Sequence, residues 1–404
     1  VLTDSNIDSL ITLKLTNANG NNITFDATIN GDKTVITINP TSNLPNSQAV
    51  YVALDATLED SADNIITTAA NATFTTMALQ STVATPPPLQ NTGSAYNATS
   101  NKYVVSTLGH LSFIAQNTSF WAYNFIQTAD IEATTTKYWD DADDTGGVTG
   151  DRYDDDNDAI STGYNEGFLP IGNNLYSGTK FTGEYDGAGY SINNLTINRP
   201  SSTKYIGLFG TTQGATIRNL SLTNDNTTSG TIFTGSLVGL TYSTSIDNCS
   251  VSGSVTGTSY LGGLVGYLYV GSIIRNSYST ASVGGISHIG GLVGQIYSST
   301  ILNSYSTGSV VATNNNPYSG GLVGMGSGNA FTTWSVTITD SFYDNTTSGQ
   351  SDTGKGTGKT TAQMKTKATF TDNSSTDLNT SWDFNYIWNI DTSGTINGGY
   401  PYLR

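Results

Sequence analysis

The chain has 404 residues, of which 11% are charged and 44 are glycines, and its formal net charge is −16 at pH 7. So few Lys and Arg residues argue against nucleic-acid binding, which needs clustered phosphate contacts. The single cysteine, Cys249, rules out an intrachain disulfide. The sequence contains no run of about 18 apolar residues, the length that a membrane-spanning helix needs. We expect an exported protein of short strands and tight turns, its export signal removed or outside this sequence.

Alternating apolar residues in positions 1–84 predict antiparallel strands. The predicted strands are Ile11–Leu15, Ile23–Ile29, Thr34–Ile38, Ala49–Ala53 and Ala72–Thr76. The segments "NGDKTVITINPTSNLPNSQAVYVAL" and "ATLEDSADN" resemble the bacterial Ig-like domains found in tandem on surface proteins. This resemblance implies an Ig-like β-sandwich without its first one or two strands. The chain would then be a fragment or receive a strand from elsewhere.

Residues 85–103 are predicted to form a linker, because three consecutive prolines at positions 86–88 favour extended polyproline geometry. Residues 106–126 contain the best helix candidate, with Ser106 or Thr107 as N-cap. A bent strand fits the same pattern. Either element would cover the first coil of the repeats that follow.

Five near-copies of a Gly-Leu-Val-Gly run begin at positions 207, 236, 263, 291 and 321, in steps of 29, 27, 28 and 30 residues. Repetition at this period predicts stacked structural units. We expect an all-β protein in which residues 104–345 form a right-handed, three-faced β-solenoid with coils of about 28 residues. An insertion at 325–335 should loop out, and residues 346–404 should form a C-terminal cap.

One polar column follows the apolar run of each repeat. We expect its side chains to form a hydrogen-bond ladder along one corner, as stacked amides do in cross-β arrays. Its members are Asn219, Asn248, Asn276, Asn303 and Asp340. Cys249, next to this column, is interpreted as a small core residue rather than a reactive thiol.

The words "GGLVG", "INNLTINRP", "IGLFG" and "IRNSYSTASV" are similar to the GLUG motif, which is known from bacterial surface and adhesin-like proteins. The closing words "TTAQMKTKATF" and "GGYPYL" agree with that family as well. The resemblance covers about 300 residues. It implies an exported cell-surface protein and no catalytic residues.

Asp154, Asp156 and Asp158 alternate like the first ligands of a calcium loop. However, Ala159 occupies the position of the loop glycine, and Asn165 stands where a bidentate glutamate belongs. The alternative is a solvated acidic loop. Calcium is the one cofactor that the sequence suggests.

Two aromatic columns are candidate surface-binding residues. The first, just before the glycine pairs, contains Tyr260, His288 and Tyr318 in line with Tyr205, and the second contains Tyr278, Tyr305 and Phe342. Stacked aromatics on a flat sheet could bind sugar rings or another protein. The alternative is cross-strand packing that stabilises the rod.

These features predict a non-catalytic extracellular adhesin or stalk that binds a surface glycan or protein through flat solenoid faces. One alternative is a structural subunit of an extracellular filament or surface layer, with copies of itself as partners, assembled by strand addition. A second alternative is a β-helix enzyme acting on carbohydrates. The repeat faces carry Ser, Thr, Tyr and Asn rather than clustered carboxylates, which disfavours that enzyme.

Overall fold

A computed structural model describes residues 7–29, 36–41, 49–54, 70–75, 84–91, 94–139, 166–172, 179–199, 205–224, 226–313, 318–326, 335–351, 355–374 and 376–404. The chain divides into two compact units, Val1–Gln80 and Ser81–Arg404. The acidic residues 154, 156 and 158 and most of the 325–335 insertion lie outside the described residues.

The described part of the first unit contains five strands that match the predicted ones to within two residues. Ile11–Leu15, Ala49–Leu54 and Ala70–Thr75 form an antiparallel sheet with Ala49–Leu54 in the middle. Phe25–Ile29 pairs antiparallel with Ile36–Pro40. A short 3-10 helix, Asp8–Leu10, precedes them. The Ig-like interpretation of this unit stays a prediction.

In its described part, the second unit is a β-solenoid in which the chain visits five parallel sheets, here named S1 to S5, in the same order in every complete coil. The expected fold class and coil length are confirmed, since the first residues of successive S1 strands are 209, 238, 265, 293 and 323.

The strands of each sheet follow one another along the stack. S1 contains Phe209–Gln213, Val238–Tyr242, Val265–Tyr269, Val293–Tyr297 and Val323–Gly326. S2 contains Tyr103–Val105, Phe125–Gln127, Glu184–Asp186, Thr216–Arg218, Ser245–Asp247, Ile273–Arg275, Thr300–Leu302 and Thr337–Thr339. S3 contains Ile131–Glu132, Ser191–Asn193, Ser221–Thr223, Ser250–Val251, Tyr278–Ser279, Tyr305–Ser306, Phe342–Asp344 and Thr357–Lys359. S4 contains Thr196–Arg199, Thr227–Gly230, Ser254–Thr256, Ser282–Gly285 and Val310–Ala312. S5 contains Ile232–Gly235, Ser259–Gly262, Ser287–Gly290 and Ser319–Gly320.

A complete coil therefore has five short strands, whereas the sequence led us to expect three. The difference arises partly at the glycine-rich run, where the chain bends between S5 and S1. In the coil of Gly290, a Cβ on this glycine would lie 2.0 Å from the carbonyl oxygen of Val293, so only glycine fits the bend. The repeat thus splits one apparent strand into two.

Aliphatic side chains fill the interior of the solenoid. One inward column of S2, for example, consists of fully buried isoleucines at 217, 246, 274 and 301. The buried Leu of each Gly-Leu-Val-Gly copy adds another column. Each such side chain contributes about 1.5–3 kcal/mol by leaving water, so stacking stabilises coils that could not fold alone.

The predicted helix is present but shorter than expected, because Leu108–Gln116 ends ten residues before position 126. Thr107 is its N-cap, and its hydroxyl oxygen accepts from the backbone N–H of His110 at 3.2 Å. The side chains of Asn117 and Trp121 donate hydrogen bonds to carbonyl groups of the last turn, and the helix ends there. The buried face of the helix joins the same hydrophobic core as the coils.

The C-terminal residues extend S3 by one strand, Thr357–Lys359, and then lie on the outer face of that sheet. Their other elements are the short α-helices Asn345–Ser348, Thr361–Met364 and Ala368–Thr371, the 3-10 turn Asn397–Gly399, and the antiparallel pair Trp388–Ile390 and Pro401–Leu403. Two further 3-10 turns, Thr118–Phe120 and Thr134–Tyr138, lie near the first coil. Trp382 and Trp388 anchor the C-terminal segment against S3.

Candidate binding surface

A stack of aromatic rings runs along S5 on the outside of the solenoid, and we call it the aromatic ladder. It consists of Tyr205, Phe233, Tyr260, His288 and Tyr318, with ring centroids 5.4, 4.7, 4.5 and 4.8 Å apart in that order. The angles between successive ring planes are 13°, 23°, 26° and 12°. The rings are therefore nearly parallel and stack face to face.

The backbone places these rings outside the core. Phe233, Tyr260 and His288 have φ between 55° and 58°, in the left-handed region that non-glycine residues rarely adopt. In the coil of Tyr260, this turn leaves the ring half-buried, while the next residue, Leu261, is fully buried. Each coil repeats the same conformation, so the rings meet.

The spacing before the glycines predicts one column for Tyr205, Tyr260, His288 and Tyr318, and the structure brings these residues together. Phe233 was not predicted, because its coil has Ser236 instead of glycine at the start of the repeated run. The signal was spacing, because Phe233 precedes Ser236 by three residues, as Tyr260 precedes Gly263.

Tyrosines of S1 widen this surface. Tyr267 lies 5.6 Å from Phe233 and 5.9 Å from Tyr260, with ring planes at 11° and 20°. Tyr269 lies 5.1 Å from Tyr297 in the adjoining coil. Burial, with the neighbouring tyrosines, raises the pKa of Tyr267 above the ordinary range of the phenol. Its hydroxyl is therefore uncharged at neutral pH.

The stacked arrangement determines which part of each ring is exposed to a binding partner. Because each inner ring is covered on its faces by the rings before and after it, its exposed part is an edge. Ring edges carry the positive end of the aromatic quadrupole, and the tyrosine edges add hydroxyl groups. The ladder thus offers a row of hydrogen-bonding edges rather than open ring faces.

Two of the three residues of the second predicted column are not available to a partner. Tyr305 and Phe342 are fully buried, because the C-terminal segment covers them with Trp382 and Trp388. Tyr278 is partly buried and stacks on Tyr305 with ring planes only 5° apart. The alternative interpretation, packing that stabilises the rod, describes Tyr305 and Phe342.

The polar column occupies the turn between S2 and S3. Asn219, Asn248, Asn276, Asn303 and Asp340 all have φ between 47° and 53°. Asn and Asp tolerate this left-handed conformation better than other side chains with a Cβ, which explains the residue type. The column therefore marks a repeated tight turn.

The side chains of the column do not form one continuous ladder. Asn219 Nδ2 donates to Asp186 Oδ1 at 2.9 Å, and Asn248 Nδ2 donates to Asn219 Oδ1 at 3.2 Å. Asn276 Nδ2, however, donates to Asp247 Oδ1, and Asn248 Oδ1 has no hydrogen-bond partner. The expected ladder is wrong at this step, since the carboxylate of Asp247 is the stronger acceptor. Asp340 accepts instead from the backbone N–H groups of Asn379 and Thr380.

A serine ladder lies one residue further on, inside the solenoid. The backbone N–H groups of Cys249, Ser277 and Ser304 each donate to the hydroxyl of the next coil's residue, at 3.1–3.2 Å. Cys249 is fully buried, and burial raises the pKa of its thiol to about 12. This cysteine is a core residue without thiolate character at neutral pH.

Charged groups on the outside of the first coils pair with one another. Arg218 Nη2 lies 2.9 Å from Glu184 Oε1 and 2.8 Å from Asp186 Oδ2, and Lys102 Nζ lies 2.7 Å from the same Glu184 oxygen. Among the described residues, no group of three or more His, Cys, Asp or Glu side chains could hold a metal ion. Likewise, no helix in the described ranges is long and apolar enough to cross a membrane.

Three consecutive stretches, residues 234–256, 257–284 and 285–311, match the family model described as the GLUG motif. The resemblance seen in the repeats is confirmed for these coils, and the second and third stretches contain Tyr260 and His288 of the aromatic ladder. The match does not extend to the first unit.

Two curated proteins share part of this sequence. A 95-residue stretch is 43% identical to the "Putative Gly-rich membrane protein" of Evansella cellulosilytica, covering 24% of this chain and 10% of that protein. A 158-residue stretch is 33% identical to "Halomucin" of Haloquadratum walsbyi, covering 38% of this chain and 1% of that protein. The chain thus spans a tenth or less of the length of these relatives.

Two solved structures show a distant similarity. A structure titled as a putative immunoglobulin A1 protease from Bacteroides ovatus has a TM-score of 0.48 and 18% identity, covering 75% of this chain and 92% of that one. A structure named "IgA1 Protease" has a TM-score of 0.37 and 16% identity, covering 87% and 28%. Neither similarity is high enough to carry an inference about activity.

Proposed function

We propose that this chain is part of a non-catalytic extracellular surface protein, an adhesin or stalk, that contacts a surface glycan or protein through the aromatic ladder. The observation that carries the proposal is the unbroken stack from Tyr205 to Tyr318, which follows the solenoid axis and reaches solvent. Tyrosine-rich, half-buried surfaces with low side-chain entropy are favourable for binding.

The relatives support an exported location. One is named as a Gly-rich membrane protein and the other as "Halomucin". The composition agrees, since a net charge of −16 with few lysines keeps a protein soluble and discourages nonspecific association with anionic polymers. The GLUG motif match of the coils fits the same setting.

The charged groups of the solenoid support a non-catalytic role. Glu184 and Asp186 are both engaged by Arg218, and Asp247 accepts from an asparagine. These carboxylates hold the turns and the first coils together. The alternative function, a β-helix enzyme acting on carbohydrates, would need an acid and a base that are both free to act on a substrate.

The proposal is tested by retention of the whole chain on a printed array of bacterial polysaccharides, mammalian glycans and extracellular matrix proteins. We expect retention on a defined subset. The double variant Tyr260→Ala, His288→Ala should lose it, while Val311→Ala, which changes an exposed side chain of S4, should keep it. Absence of retention on every spot, or equal retention by both variants, would refute the proposal.

A further inference from the structure

A groove runs between the outer face of S3 and the C-terminal segment, away from the aromatic ladder. It consists of two adjoining clefts of about 410 and 470 Å³, which share Ser221 and Leu403 in their walls. The first lies beside the S2–S3 turn, and the second lies over the hydroxyl-bearing strands of S3.

The groove exists because one outward column of S3 changes its residue type. The aligned positions are Ser191, Ser221, Ser250, Tyr278, Tyr305 and Phe342. At Tyr305 and Phe342, Trp382 and Trp388 pack on the column and bury both rings, whereas Tyr278 borders the groove. Where the column is serine, no tryptophan packs on it, and a gap remains between the serines and the side chains of the C-terminal segment.

The lining suits a ligand rich in hydroxyl groups. Asp186, Asn219, Ser221 and Asn248 contribute carboxylate, amide and hydroxyl groups to the first cleft. Their orientation is fixed, since Asn219 is held between Asp186 and Asn248. Arg404 closes one end, with its guanidinium bonded to the carbonyls of Trp388 and Phe384. A preformed set of donors and acceptors binds without the cost of ordering them.

An exposed aromatic ring stands in the wall of this polar cleft. Tyr386 is 83% exposed, although it belongs to a well-held turn in which Asp383 accepts from the backbone N–H groups of Asn385 and Tyr386. Unlike the rings of the aromatic ladder, its faces are largely open to solvent. An open ring face beside fixed hydrogen-bonding groups matches a pyranose, which has an apolar C–H face and a rim of hydroxyls.

We propose that the groove binds a neutral oligosaccharide, with Tyr386 stacked on one sugar ring and the Asp186–Asn219–Asn248 group bonded to its hydroxyls. The groove borders four successive coils, whose spacing of about 4.8 Å gives a length of about 14 Å, enough for a short chain of sugars. An acidic sugar is disfavoured by the net charge of −16.

The experiment is calorimetric titration of the whole chain with cellohexaose, chitohexaose, mannohexaose and xylohexaose, and with hexagalacturonate as the anionic probe. We expect saturable binding of at least one neutral hexasaccharide and at least tenfold weaker binding by Tyr386→Ala. Ser221→Tyr, which would place in the groove the ring that Tyr278 supplies two coils later, should abolish binding. Near-ultraviolet circular dichroism would show whether each variant keeps the native fold.

Tyr318→Ala is the matched control, because it changes a partly exposed tyrosine of the aromatic ladder and leaves the groove intact. It should bind the hexasaccharide like the wild type, so failure of the groove and failure of the aromatic ladder give different results. No saturable binding of any neutral hexasaccharide, preference for hexagalacturonate, or unchanged affinity in a folded Tyr386→Ala variant would overturn the proposal.

Discussion

The side-chain amide of Asn248 donates a 3.2 Å hydrogen bond to the amide oxygen of Asn219, its counterpart one coil earlier. Asn276, one coil later, turns to the carboxylate of Asp247 instead. All three have the same positive φ, so the backbone conformation repeats even where the side-chain bonds differ. The turn between S2 and S3 is therefore specified first by conformation and second by side-chain hydrogen bonding.

This order predicts how variants of Asn276 behave. Asn276→Ala loses a 3.1 Å hydrogen bond and puts alanine at a φ of 50°. We expect a loss of about 2 kcal/mol in unfolding free energy, about half from each effect. Asn276→Gly loses only the hydrogen bond, since glycine adopts this conformation freely. Urea midpoints of the two variants check this, and equal destabilisation would show that the backbone term is negligible.

The bend between S5 and S1 predicts a strong effect at Gly290. A Cβ there would lie 2.0 Å from the carbonyl oxygen of Val293 and 2.6 Å from the backbone nitrogen of Gly324. Gly290→Ala should cost about 3 kcal/mol or prevent folding, because backbone atoms cannot move aside cheaply. Gly284→Ala is the control. A Cβ there would lie 4.0 Å from its nearest neighbour, the carbonyl oxygen of Val311, so the thermal midpoint of this variant should stay near that of the wild type. Similar midpoints for both variants would disprove the bend.

Cys249 reports on the integrity of the stack. Its thiol is fully buried with a pKa of about 12, so at pH 8 it should not react with a disulfide reagent in the folded protein. We expect labelling to follow the urea unfolding curve. Cys249→Ser should fold normally, because the aligned Ser277 hydroxyl already donates to a backbone carbonyl at 2.8 Å. Rapid labelling without denaturant would contradict the buried position.

His110 predicts weaker stability in mild acid. Burial lowers the pKa of its imidazole below the ordinary value, and Nδ1 accepts from the backbone N–H of Ser106, which requires an unprotonated nitrogen. The unfolded chain therefore binds more protons below about pH 6.5, and stability falls as pH decreases through the lowered pKa. Burial also lowers the pKa of the His288 imidazole.

Urea unfolding of the wild type, His110→Gln and His288→Gln between pH 8 and pH 5 separates the two histidines. Each variant should lose less stability on acidification than the wild type does. Parallel pH profiles for all three proteins would mean that neither histidine contributes to this dependence.

Much of the solenoid could be predicted from local sequence, because each coil repeats the same conformational requirements. The 28-residue period indicated the stack, and the spacing before the glycines placed Tyr260 and His288 together. The number of strands per coil could not be predicted from the sequence, because a strand broken by a bend at Gly290 has the same apolar pattern as a continuous one. Phe233 was missed because its coil departs from the repeated glycine.

Long-range packing explains the remaining errors. Tyr305 and Phe342 do point out of the coil, as the alternation of S3 requires. Trp382 and Trp388, which come many residues later in the chain, cover these two rings. No local sequence pattern indicates which face of the solenoid those tryptophans contact. The groove has the same origin, since it depends on where the C-terminal segment crosses the serines of S3.

The most direct test of the account is the affinity of Tyr260 variants for the array component that the wild-type chain retains best. Tyr260→Phe keeps the stacked ring but removes the hydroxyl edge, whereas Tyr260→Ala removes both. If the aromatic ladder is the contact surface, Tyr260→Ala should bind at least tenfold more weakly and Tyr260→Phe should fall between it and the wild type. Wild-type affinity in a folded Tyr260→Ala protein would contradict the account.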